Sequence, residues 1–121
     1  MDFDEEDALL RTADDRDLLG QVIRFAVEDF PPLMNNIREA VDEGRSSDIS
    51  KLAHKMKGSA GACGARTLYM AALDLELAGK DGENDLGRYL ASIEEAFGAF
   101  ATHPRVREIA RLDDDADASI G

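Results

Sequence analysis

Residues 47–64 read SDISKLAHKMKGSAGACG, from Ser47 to Gly64. Advancing about 100° per residue from Ile49 places Leu52, Ala53, Met56, Ala60 and Cys63 within about 60° of it. That is one apolar stripe at the helical period. His54 falls at about 140°, Gly58 at about 180°, Gly61 at about 120° and Lys57 at about 80°. The histidine therefore faces away from the stripe. A lysine follows it three residues on, and glycines four and seven residues on.

A glycine inside a helix costs about 1 kcal/mol relative to alanine. Two of them around one outward histidine give up local stability, and steric clearance is the natural reason. A neutral imidazole is a nucleophile near pH 7. Attack on phosphorus would leave a negative group on the ring, which the Lys57 ammonium could offset. Phosphoryl transfer relies mainly on positioning and electrostatics. The chain has no G-x-x-x-x-G-K-[ST] loop and no D-F-G triplet, so the phosphoryl group has to come from a partner that brings its own metal.

Outward from this segment the helical period continues in both directions, and no alternating strand pattern appears. Asp4 is placed to cap a short helix through about Thr12, and Asp14 or Asp15 to cap the next. That helix carries Leu18, Leu19, Val22, Ile23, Phe25, Ala26 and Phe30 at helical spacing. It meets Pro31-Pro32 and resumes with Leu33, Met34, Ile37, Ala40 and Val41, so it is one kinked helix or two nearly continuous ones, ending at Gly44. Ser46 or Ser47 caps the helix from about Asp48 to Cys63, which Gly64 breaks. A further helix covers about 65–78 and stops at Gly79-Lys80-Asp81-Gly82. A last long one covers about Asn84 to Thr102, followed by a turn or two over 105–112. The 65–78 helix has two apolar faces: Leu68, Ala72 and Leu75 form one, and Met70, Leu73 and Leu77 the other. Packing of both is expected, because exposed apolar patches are uncommon. Four long helices joined by short loops predict an all-α, antiparallel up-down four-helix bundle with a short extra N-terminal helix. The bundle is assigned to residues 1–112 and an acidic flexible tail to 113–121.

The chain has 121 residues, 14 Lys plus Arg against 26 Asp plus Glu, and a net charge of −12. One domain suits that length. The charge argues against nucleic acid or an anionic membrane as partner. The single Cys63 excludes a disulfide framework and is read as a small buried hydrophobe. With two histidines and no Glu-x-x-His pair, no metal site is expected. The acidic start and the lack of a long apolar run predict a cytoplasmic protein. Five acids lie in residues 1–7 and four in 113–121, read as solvated ends. Arg45, Lys51, Lys55, Lys57 and Arg66 face only Asp48 between residues 45 and 67, a local +4 around His54. His103, beside Pro104, is read as a cation at the end of the last long helix.

Ala53-His54-Lys55-Met56-Lys57-Gly58-Ser59-Ala60, with Gly64-Ala65 following, resembles the histidine-containing phosphotransfer (HPt) domain family, whose motif reads approximately A-H-x-L-K-G-[SA]-[SA]-x-x-x-G. The likeness extends over roughly residues 3–101, and Met56 stands where Leu is common. It implies a phosphorelay intermediate of two-component signalling that is not itself an enzyme. His54 is then the phosphoacceptor, Lys57 the phosphoryl-stabilising residue and Gly58 the clearance residue. Some members place Gln or Lys on the neighbouring helix against the histidine. Glu76 is in register here, and a carboxylate there would orient the ring by accepting a hydrogen bond. Lys51, Lys55, Gly61 and Arg66 are the expected partner-binding residues. The implied partners are a response-regulator receiver domain and a histidine kinase or hybrid kinase. The chain needs no cofactor of its own, since the divalent metal belongs to the receiver, and it is expected to be a monomer. The alternative is a helical bundle that binds receiver or kinase domains without being phosphorylated.

Overall fold

A computed structural model describes residues 1–113. Over that range the chain is all-helical, with six helices and no strand. They are α1 (Glu5–Arg11), α2 (Arg16–Asp42), α3 (Ser46–Ala62), α4 (Arg66–Lys80), α5 (Gly87–Ala101) and α6 (Pro104–Ile109). Of the tail expected over 113–121, only Asp113 is among the described residues; its carboxylate accepts from Arg107 Nη2 at 2.6 Å. No described helix is long and apolar enough to cross a membrane.

The first two caps form as expected. The Asp4 carboxylate accepts from the Asp7 N–H and that of Asp15 from the Leu18 N–H, each at 3.1 Å. α2 runs unbroken through Pro31 and Pro32. An interior proline costs roughly 3 kcal/mol. Both prolines face solvent, while Phe30, Leu33, Met34 and Ile37 around them are buried. Burial at about 1.5–3 kcal/mol per side chain is enough to carry the helix across. Leu18 and Phe25, at helical spacing on α2, stay exposed at 43% and 66%.

Three other boundaries differ from expectation. α3 starts at Ser46 after Gly44, which has φ +68, so both serines lie inside the first turn and Arg45 is the cap without a side-chain bond. α4 continues through Gly79 because α3 passes close by. A Cβ on Gly79 would sit 3.3 Å from the Ser50 backbone nitrogen, and the glycine permits that approach. α5 begins only at Gly87, with Leu86 buried ahead of it.

The four longer helices close a ring of contacts: α3 packs on α2 and α4, α4 on α5, and α5 on α2. The stripe read from residues 47–64 is the α3 contribution, with Ile49, Ala53, Met56 and Ala60 fully buried and Cys63 just beyond. Phe30 meets Phe97 edge-on at 5.6 Å, joining α2 to α5. The N-terminus is not a solvated end. Phe3 is buried, and Glu5 accepts from Arg105 Nε and Nη2 at 2.8 and 2.7 Å, tying α1 to α6. His103 caps α6 rather than closing α5: its Nδ1 accepts from the Arg105 N–H at 3.1 Å, so that nitrogen is unprotonated.

Gly64 has φ +72, and a Cβ on it would lie 2.6 Å from the Asp4 carbonyl oxygen. The Asp4 N–H also donates to the Gly64 carbonyl at 2.8 Å. A Gly64→Ala variant should lose about 2–4 kcal/mol, from left-handed strain plus displacement of the N-terminal segment. Urea denaturation measures this. A loss below about 1 kcal/mol would show that the turn can relax freely.

Candidate functional site

The α3 stripe turns His54 outward, and its side chain is 68% exposed. α4, the closest neighbour of α3, carries Leu68, Ala72 and Leu75 into the core. On the same helix Glu76 comes up against His54. Its side chain is only 5% exposed, so this carboxylate is held inside the α3–α4 seam. Oε2 lies 2.8 Å from His54 Nδ1 and 3.5 Å from Lys80 Nζ. Oε1 lies 2.7 Å from Lys57 Nζ. That contact is an ion pair rather than an aligned hydrogen bond, and Oε1 has no hydrogen-bond partner among the described residues.

Burial alone would raise the Glu76 pKa. The Lys57 ammonium beside it outweighs burial, and with His54 and Lys80 it holds the carboxyl down at about 2. Glu76 is therefore ionised at neutral pH and can only accept. Nδ1 of His54 must then carry the hydrogen, which leaves the Nε2 lone pair on the exposed side of the ring. A fixed tautomer with an outward nucleophilic nitrogen is what this arrangement supplies.

A depressed carboxylate pKa stabilises the fold fully above the unfolded value, 4.5, and this stability is lost as pH falls toward about 2. Glu76→Gln removes the titrating group. The stability gap between wild type and this variant should be largest above pH 4.5 and should close toward pH 2. Urea midpoints across that range measure it. A gap independent of pH would mean that Glu76 is not the ionised partner of Lys57.

The glycines divide. A Cβ on Gly58 would meet nothing within 4 Å, so this residue leaves open space beside the imidazole. A Cβ on Gly61 would lie in ordinary van der Waals contact with the Tyr69 ring of α4, at 3.4 Å, so the space beside Gly61 is bounded by that ring. Arg66 is bound to Asp4 at 3.3 Å, in a groove with Gly61 and Tyr69 between α1, α3 and α4. Lys51 lines a groove with Glu39 and Asp48 toward α2. Lys55 is exposed on α3. Arg45 pairs with Glu43 and Asp48. The basic island is thus largely neutralised: of its charges only Lys57 joins His54, and it does so through Glu76.

Lys80 was not anticipated. Its signal was present as the i, i+4 spacing from Glu76, hidden because Gly79-Lys80 reads as a helix stop. The second apolar face of α4 also departs from expectation: Leu73 is half-buried, while Met70 and Leu77 are about half exposed. Cys63 is buried as expected. Burial pushes its thiol up to about 11, which keeps it protonated.

A family model described as "Hpt domain" matches residues 21–118. The match begins inside α2 and leaves out α1. No curated protein and no solved structure matches the chain significantly.

Proposed function

The chain belongs to the Hpt domain family, and on that premise we propose that it is a phosphorelay carrier whose acceptor atom is His54 Nε2. The single observation that carries this reading is the 2.8 Å contact between His54 Nδ1 and buried Glu76. Hpt domains carry phosphoryl groups in two-component signalling and interact with receiver domains and histidine kinases. In our reading the four long helices run up and down as an antiparallel bundle, and α3 and α4 present the acceptor.

The donor is a receiver domain's aspartyl phosphate or a histidine kinase. A divalent ion on the receiver would neutralise charge on the transferred group. With the aspartyl phosphate as donor, the Nε2 lone pair forms the N–P bond as the P–O bond to the donor carboxylate breaks, and the electron pair leaves with that carboxylate. Nδ1 keeps its proton facing Glu76, whose negative charge offsets the positive ring. Gly58 leaves the approach open. Lys57 supplies positive potential from its place on Glu76, and Lys51 and Lys55 steer the partner. The chain has no catalytic cycle of its own and acts as a carrier.

Phosphotransfer profiling against a panel of receiver domains tests this. Fast label exchange with at least one receiver is expected. Receivers that bind tightly and never exchange label would establish instead a bundle that binds without being phosphorylated.

A further inference from the structure

We infer that Lys80, rather than Lys57, is the cation that closes on the phosphoryl group once it sits on His54. The inference rests on the phosphoacceptor reading and assigns a role within that site.

Two ammonium groups contact Glu76, and they are held differently. Lys57 is 20% exposed and lies 2.7 Å from Oε1. That oxygen is buried and has no hydrogen-bond partner among the described residues. Moving Lys57 away would leave a buried ionised oxygen uncompensated, which is costly. Lys57 is therefore committed to keeping Glu76 charged, and through Glu76 to keeping the Nδ1 proton in place. Lys80 is 60% exposed and stands 3.5 Å from Oε2. Oε2 retains the His54 hydrogen bond at 2.8 Å when Lys80 departs. The cost of releasing Lys80 is thus small.

Position permits this role as well. The imidazole and the Lys80 ammonium are neighbours across one oxygen atom, on the solvent side of the seam. A phosphoryl group on Nε2 brings close to two negative charges. A flexible four-carbon stem with three donors can turn from a weak contact to this stronger one. Lys51 and Lys55 lie on α3, and neither contacts Glu76 among the described residues. The site then works as a relay of charge: Lys57 fixes the carboxylate, the carboxylate fixes the ring, and Lys80 is free to answer the new anion.

The test labels the whole protein chemically with phosphoramidate, which needs no partner, and follows the phosphohistidine by phosphorus NMR across pH. A nearby cation favours the doubly ionised phosphoryl group. In Lys80→Gln the phosphoryl acid dissociation constant should fall about three- to tenfold, with Lys80→Arg close to wild type. Lys80→Gln should melt with wild type. Lys57→Gln should lower the melting temperature and weaken the Nδ1 proton signal, with a smaller effect on phosphoryl ionisation. An unchanged titration in Lys80→Gln, with the whole effect in Lys57→Gln, overturns the inference and leaves the acceptor assignment standing. A wild type that takes no phosphoryl group on His54 overturns both.

Discussion

A His54→Gln variant is expected to take no phosphoryl group from a receiver that labels wild type, and to fold normally. The loss is complete because the reacting lone pair is removed and no second nucleophile occupies the site. His103 does not replace it: its Nδ1 is engaged in capping α6, and its ring packs edge-on against Phe3 at 5.6 Å. Cys63 is buried and protonated. The fold tolerates the change because the His54 side chain is mostly exposed, and Glu76 keeps Lys57 and Lys80. Stability should change by no more than about 1 kcal/mol. Radiolabel transfer and thermal melting on the same sample separate the two effects. Label on the Gln variant at wild-type level would sink the assignment.

The second large effect belongs to Gly58. Packing does not explain this glycine: φ is not positive, and a Cβ would meet nothing within 4 Å. Helix propensity alone favours almost any other residue. Gly58→Ala should therefore raise stability by about 0.5–1 kcal/mol. Gly58→Trp should leave the helix formed and cut the transfer rate about a hundredfold or more, because a large side chain one turn from the imidazole displaces the donor from attack geometry. Gly98 provides the control. It is another helical glycine with nothing within 4 Å, placed on α5. Gly98→Trp should leave transfer unchanged. Transfer at the wild-type rate in Gly58→Trp would remove the clearance argument, and an equal loss in Gly98→Trp would point to a general effect of bulk.

Much of the fold was legible because the apolar period is strong. Of the stripe from Ile49 to Cys63, Ile49, Ala53, Met56, Ala60 and Cys63 are buried and Leu52 packs half-buried at its edge. Boundaries were less legible where tertiary contact overrides a local signal. Gly79 reads as a stop, yet it lies inside α4 because α3 needs the space of a missing Cβ. Pro31-Pro32 reads as a kink or a narrow gap between two helices, and buried neighbours hold α2 together across it. Within the site, His54, Lys57 and Gly58 could be read from one helix. Their pairing through Glu76 needed the register of a second helix, which the resemblance supplied and the 2.8 Å contact matches. The strength of the basic island was less legible than its place. Formal charge is additive along a sequence, but Arg45 and Arg66 are neutralised by Glu43, Asp48 and Asp4 in space. The surroundings of Gly61 were not legible either, since a helical wheel does not show that the Tyr69 ring of the next helix stands beside it.

The phosphoacceptor is one atom, His54 Nε2, and nitrogen-15 NMR of histidine-labelled protein reads it directly, before and after transfer from a phosphorylated receiver. A proton on Nδ1 of His54 throughout and a phosphorus-coupled Nε2 after transfer are expected. Phosphorus on Nδ1, on His103 or on no histidine, with label present on the protein, would contradict this assignment.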